Sequence, residues 1–223
     1  MKPLLIVALG IFGCAPLTAY GADTPAQSGD LATDVWKASG GENWAKVKEL
    51  RFTFEVESGG KPVASAKHDW NVVAGTDHVQ WKDKEGNEKD VTVDLKSPPQ
   101  DGDGQKGYGR WVNDSYWLLA PLKLKDPGVT ATPGTQKEFN GAMCDTLRLQ
   151  FAQVGLTPND QYLLYVDPQT KLLKAWDYIP KDAGGMQATW EKYEKFDGLT
   201  LATEHHFNDK AVKFTGVEVV AEK

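Results

Sequence analysis

Cysteine and methionine are scarce in this sequence of 223 residues, and an excess of positive charge is missing. Cys14 lies in an N-terminal apolar segment, so removal of that segment would leave Cys144 alone and exclude an internal disulfide. The formal net charge of −6 argues against a nucleic-acid partner, because surfaces that bind nucleic acid concentrate lysine and arginine. The sequence also lacks a glycine-rich phosphate loop, a Gly-x-Ser-x-Gly elbow and a His-Glu-x-x-His motif. We therefore expect neither an enzyme nor a cofactor.

Long apolar runs are missing as well. Residues 4–12 are apolar but too few to span a bilayer, and they suit the core of an export signal. The small residues Ala19 and Gly21 predict a signal peptide over residues 1–21, followed by a flexible linker over residues 22–29 and a domain over residues 30–223. Alternatively, residues 11–14 resemble a lipobox, with Cys14 as a lipidated membrane tether. The first interpretation, which we favour, predicts a periplasmic protein and the second an outer-membrane lipoprotein.

Period-two alternation of apolar side chains dominates the rest of the chain. Residues 50–56 and 63–73 alternate in this way, and similar segments recur at short intervals up to residue 220. This pattern predicts a mainly β (α+β) domain with a single, highly curved antiparallel sheet of about eleven strands, an incomplete barrel closed by two or three short helices. The spacing predicts helices over residues 30–38 and 110–119, the second ended by Pro121. Residues 97–109, which are rich in glycine and proline, are predicted to form a long surface loop.

Four segments carry a family resemblance: Gly-Gly-Glu-Asn-Trp at residues 40–44, and residues 116–128, 154–168 and 190–201. They resemble the LolA/LolB-like superfamily of bacterial periplasmic proteins, and most closely its uncharacterised branch of outer-membrane lipoprotein-sorting proteins. The resemblance covers roughly residues 30–220. It implies an eleven-stranded half-barrel closed by helices, with an apolar concave cavity. In the carriers of this superfamily the cavity takes acyl chains, so the implied partner is a lipid, a lipoprotein acyl chain or another hydrophobic small molecule.

Large aromatic side chains are the main candidates for a ligand site. A hydrophobic cavity and its lid would be formed by Trp70, Trp81, Trp111, Trp117, Leu118, Pro121, Tyr162, Trp176 and Trp190. Burying one methylene contributes about 0.8 kcal/mol, so a chain of some sixteen carbons would gain roughly 10 kcal/mol before ordering costs. Alternatively, the same rings fill the core completely, and the protein is an interaction or structural module of the envelope without a ligand.

Polar candidates are weaker. His205 and His206 are neighbours on a predicted strand, so they point to opposite faces and cannot easily share one metal ion. His68 and His78 lie on other predicted strands. We expect no metal site, and we expect these histidines to lie on the surface or to be hydrogen-bonded in the core. The calcium-like run at residues 101–104 lacks the later ligands of an EF-hand. Lys123 and Lys125 would lie at the rim of a cavity, and we expect them to be solvated.

Overall fold

Twelve strands and three α-helices are present in the computed structural model, which describes residues 30–152, 154–182 and 184–222. The expected signal peptide, the linker and Cys14 lie outside the described residues. The α-helices are α1 (Leu31–Ala38), α2 (Gly41–Trp44) and α3 (Gly102–Leu119), and α3 continues as a 3-10 helix (Ala120–Lys125). The strands are β1 (Val47–Ser58), β2 (Lys61–Asn71), β3 (Thr76–Lys82), β4 (Glu88–Asp94), β5 (Val129–Phe139), β6 (Ala142–Phe151), β7 (Gln161–Val166), β8 (Leu173–Ile179), β9 (Met186–Thr189), β10 (Glu191–Phe196), β11 (Leu199–Phe207) and β12 (Lys210–Ala221).

The strands form two antiparallel sheets. Seven strands follow the order β10-β11-β12-β1-β2-β3-β4, and five follow the order β5-β6-β7-β8-β9. The mainly β class is thus confirmed, but the single sheet of about eleven strands is not. The division falls at Trp190, the one residue between β9 and β10. On one side of it β9 pairs with β8, and on the other side β10 pairs with β11, so the chain changes sheets without a loop.

Helix α3 begins earlier than the sequence pattern predicts. The expected loop over residues 97–109 is wrong from Gly102 onward, because α3 starts there. The reason lies in the packing of Gly107, which is buried against the sheet. A Cβ atom at this position would come within 2.8 Å of a Val91 methyl group. Glycine here permits a close helix–sheet contact, which composition alone cannot distinguish from a loop.

The end of α3 agrees better with the sequence. The α-helix ends at Leu119, and Pro121 lies in the first turn of the 3-10 helix, where its missing N–H is tolerated. Leu118, Leu119 and Leu122 are buried in the largest hydrophobic cluster, which joins both sheets to α3. The segment therefore packs as a continuous cover over the core that both sheets share.

A smaller cluster contains the one cysteine of the described residues. Cys144 is buried with Phe139, Leu163, Tyr165 and Ala175. Burial raises the pKa of the Cys144 thiol. Cys144 therefore packs as a small hydrophobic side chain.

Candidate functional site

A pocket of about 160 Å³ opens between the seven-stranded sheet and the cover formed by α3 and the 3-10 helix. We call it the Trp70–Trp111 pocket. Its walls are Trp44, Trp70, Val72, Trp111, Leu119, Leu122, Lys123 and Asp126. Three of the eight tryptophans of the sequence therefore meet at one small cavity.

Local structure explains how the three tryptophans meet. Gly40 has a positive φ of 84° and directly precedes α2, which places Trp44 at the end of a single helical turn. Trp70 comes from the inward-facing series of β2, and Trp111 lies on α3 above it. The Trp70 ring packs against Trp111 in an edge-to-face contact at 5.1 Å and against Trp44 at 5.7 Å. These contacts make a rigid aromatic wall.

The polar part of the pocket consists of Lys123 and Asp126. The Lys123 side chain is 24% exposed, its Nζ atom lies 3.7 Å from an Asp126 carboxylate oxygen, and the ammonium lies 5.8 Å from the centre of the Trp111 ring. Burial lowers the pKa of Lys123, and Asp126 opposes this effect only in part. The expectation of a solvated Lys123 is therefore wrong. Lys125 is exposed at the level of the residue and lies over the Trp36 ring at 4.4 Å.

The other aromatic side chains proposed for the cavity fill a neighbouring region instead. Trp176 is the largest fully buried side chain of the described residues. It contacts Trp117 at 4.7 Å, Tyr162 at 4.9 Å and Trp190 at 5.1 Å between ring centres. His205 completes this group at 4.5 Å from Trp190. We call these five residues the Trp176 cluster, and none of them lines the Trp70–Trp111 pocket.

A buried ionic group holds α3 to the sheet next to the pocket. The His68 ring, fully buried on β2, has Nδ1 2.7 Å from an Asp77 oxygen and Nε2 3.1 Å from an Asp114 oxygen. Burial alone would lower the pKa of His68, but the hydrogen bonds and charges of Asp114 and Asp77 outweigh it and raise the pKa to about 9. His68 is therefore an imidazolium at neutral pH. The ring also stacks on Phe52 at 4.7 Å.

The remaining histidines have separate partners. His78 pairs with Asp90 at 2.7 Å, and His206 pairs with Glu204 at 2.6 Å. Among the described residues, no group of three histidine, cysteine or acidic side chains is arranged to hold a metal ion. In the calcium-like run, the Asp103 carboxylate is bound by Lys89 and Lys106.

The structure thus separates the nine predicted site residues. Only Trp70 and Trp111 line the pocket. Trp81 packs in a small separate cluster with Ala66 and Val79, and Arg110 lies over its ring at 5.3 Å. Trp117, Leu118, Pro121, Tyr162, Trp176 and Trp190 pack inside the domain or its cover. As ligand contacts, all nine remain predictions.

Sequence reasoning missed several walls of the pocket. Trp44 and Leu122 belong to segments that the sequence marks as aromatic or apolar, but only the third dimension places them beside Trp70. Lys123 was placed at the rim of a cavity but was expected to be solvated. Its position two residues after Pro121, at the end of an apolar run, was a usable signal for a cation held against the core.

Comparison with known proteins identifies the fold. No protein-family model matches the sequence, and no curated protein matches it. A LolA superfamily protein from Nitrosomonas europaea superposes with a TM-score of 0.57 at 7% identity, over 86% of this chain and 94% of that one. The protein has a LolA-like fold. The expected family resemblance is thereby confirmed at the level of the fold.

Two further solved structures are similar. One is a DUF1329 family protein from Desulfovibrio piger, with a TM-score of 0.49, 12% identity and coverage of 85% of this chain and 90% of that chain. The other is an outer membrane lipoprotein-sorting protein domain from Vibrio parahaemolyticus, with a TM-score of 0.43, 7% identity and coverage of 84% and 93%. Within the described part of this LolA-like chain, none of the helices is long and apolar enough to span a membrane.

Proposed function

We propose that this LolA-like protein is an extracytoplasmic binding or carrier protein that holds a hydrophobic ligand, a lipid or a lipoprotein acyl chain. The observation that carries the proposal is the Trp70–Trp111 pocket, an aromatic and aliphatic cavity under the α3 cover. Small-molecule sites are typically concave and apolar, with few polar groups. The predicted export signal supports an envelope location, and acylation of Cys14 would add a membrane tether.

The size of the pocket limits what it holds in the described conformation. A water molecule takes about 30 Å³ in the liquid, so this cavity accommodates about five groups of water or methylene size. Burying four methylenes contributes roughly 3 kcal/mol. A complete acyl chain therefore needs additional space, which movement of α3 away from the sheet would provide. On this proposal the pocket receives one end of the ligand first.

The alternative function, an envelope interaction module without a ligand, requires a concave face that is completely filled. The region beside Trp70 does not meet that condition, because it contains the pocket. The pocket therefore favours ligand binding over the alternative.

A pair of neighbouring substitutions tests the proposal. Val72 lines the pocket, whereas Val73 is 67% exposed and lies outside its walls. Val72→Phe adds bulk to the cavity, and we expect it to weaken binding of a medium-chain fatty acid by about tenfold or more. Val73→Phe adds the same bulk outside and leaves the affinity unchanged. Binding is measured by titration calorimetry on protein that has been unfolded, delipidated and refolded.

Native mass spectrometry of protein purified from the envelope provides an independent test. We expect a species heavier than the bare chain by the mass of a lipid, and its loss on stronger activation. The same spectrum reports whether the mature chain begins at Ala22 or at an acylated Cys14. If no lipid is retained and no fatty acid or alcohol of six to sixteen carbons binds, the proposed function is wrong.

A further inference from the structure

Lys123 has an environment that its present contacts do not account for. Three quarters of its side chain is buried, and an ammonium carries three N–H donors. Among the described residues, Nζ of Lys123 has no acceptor within hydrogen-bond distance, because the nearest Asp126 oxygen lies at 3.7 Å. A buried cation with unused donors is costly unless a partner is present for part of the time.

Asp126 is a weak partner for this cation. Its side chain is 50% exposed, so water screens its charge, and a pair of this kind contributes little to stability. The comparison with His68 is instructive, since that cation is held by two buried carboxylates at hydrogen-bond distance. Charge pairing at Lys123 is therefore incomplete at the polar edge of the pocket.

The aromatic and aliphatic walls supply no hydrogen-bond acceptor to this cation, because indole and hydrocarbon side chains carry none. The polar groups of the pocket are therefore the Lys123 ammonium and the single Asp126 carboxylate at its rim.

We infer that the end of the ligand held in the Trp70–Trp111 pocket is a carboxylate, and that the ligand is an amphiphile of the fatty-acid class whose head group pairs with Lys123. This inference rests on the proposed function and specifies its ligand. A single lysine without arginine suits a singly charged head group, because phosphate groups are typically bound by several cations or by bidentate arginine. The few methylenes next to the carboxylate then contact Leu119 and Leu122.

Three probes of equal chain length test the charge of the ligand. Octanoate, octanol and octylammonium are titrated separately into delipidated protein at pH 7.5 and low ionic strength. We expect octanoate to bind about tenfold more tightly than octanol, the value of one charge-assisted hydrogen bond, and octylammonium to bind most weakly. Equal affinity for octanoate and octanol would overturn the inference and leave the proposed function intact. Preferential binding of octylammonium would overturn it by assigning recognition to Asp126, and binding of none of the three would contradict the proposed function itself.

Variants of the two charged residues separate recognition from folding. Lys123→Gln is expected to reduce octanoate affinity about tenfold and to change octanol affinity by less than about twofold. Lys125→Gln is the matched control, because Lys125 lies over Trp36 and not in the pocket. Asp126→Asn removes the competing carboxylate, so we expect octanoate to bind severalfold more tightly. If Lys123→Gln does not fold, Asp126→Asn still decides: unchanged or weaker octanoate binding would overturn the inference.

Discussion

One turn of helix α3 covers two buried histidines in opposite ways. Asp114 forms an ionic hydrogen bond with His68, whereas Trp117, three residues later, lies 5.3 Å from the His205 ring in an apolar environment. Carboxylates raise the pKa of His68 to about 9, while burial lowers the pKa of His205 to about 3. The two regions show that burial neutralises a histidine only where no buried carboxylate is paired with it.

The difference also concerns ligand binding. The Trp176 cluster packs around Trp117 of α3, whereas Trp111 and Leu119 of the same helix line the pocket, and Asp114 makes a buried ionic contact beside it. If α3 moves to admit an acyl chain, the movement therefore has to occur at the Trp111 side. Four predictions test this comparison, beginning with the largest effect.

Replacement of Trp117 by alanine removes the ring that anchors α3 on the apolar side. Trp117 is 7% exposed and contacts Trp176, His205 and Phe207. We expect Trp117→Ala to reduce the free energy of unfolding by about 4 kcal/mol, measured by urea denaturation. Trp111→Ala on the same helix is the matched control, with about half that loss, because Trp111 already borders a cavity. Equal losses would contradict the proposed difference in packing.

Replacement of Asp114 by alanine removes the ionic hydrogen bond between α3 and His68. His68 then keeps Asp77 but leaves its Nε2–H buried without a partner. We expect a loss of about 3 kcal/mol at pH 7, since removing one member of a buried pair leaves the other uncompensated. Asp103→Ala, which removes exposed ion pairs with Lys89 and Lys106 at the start of the same helix, should cost far less stability. A loss at Asp114 as small as this would show that the ionic contact does not hold α3.

The alternating side chains made much of this fold predictable. In β2, Ala66, His68 and Trp70 share the buried face, as the period of two requires. The chain of strands after Pro121 is likewise present, because turn residues such as Asp197 and Gly198 mark its hairpins. The alternating pattern does not show which strands pair with each other. It therefore does not predict the division into two sheets at Trp190.

The candidate site was less predictable, for a physical reason. Aromatic residues in a sheet are equally suited to a packed cluster and to a cavity wall, and the outcome depends on distances between elements remote in sequence. Trp70 and Trp176 have similar sequence contexts, yet one borders a cavity and the other is fully enclosed. The ion pair of His68 with Asp114 joins residues separated by 46 positions, and no local signal links them.

The alkaline dependence of stability follows from the charged histidine. The folded pKa of His68, about 9, lies above the unfolded value of about 6.5, so its contribution is complete below pH 6.5 and is lost as the pH rises through 9. We expect the free energy of unfolding to fall by about 2 kcal/mol between pH 6.5 and 8.5. The neighbouring charged side chains are Asp77, Asp114 and Arg110.

This measurement requires a protein background from which the Cys144 thiol has been removed. The Cys144 thiol has a raised pKa, so its own titration would also reduce stability at high pH. Urea denaturation is therefore compared in Cys144→Ala and in Cys144→Ala combined with His68→Gln. The second protein should show no decline from pH 6.5 to 8.5, and a persistent decline would refute the assignment to His68.

The free energy of unfolding at acid pH tests the neutral His205, and its pH dependence has the opposite sign to that of His68. The folded pKa of His205, about 3, lies below the unfolded value, so the unfolded chain takes up a proton first and stability falls as the pH drops below 6.5. Between pH 6.5 and 5.5 the loss should be about 1 kcal/mol, in a range where carboxylates remain ionised.

His205→Phe places an apolar ring among Trp117, Trp190 and Phe214, and it removes a buried Nε2 atom that has no partner among the described residues. Its stability at pH 7 should lie within about 1 kcal/mol of the wild type and should not decline toward pH 5.5. A decline as steep as that of the wild type would mean that His205 is not the group taking up the proton, and that the contrast between the two covered histidines is not one of charge.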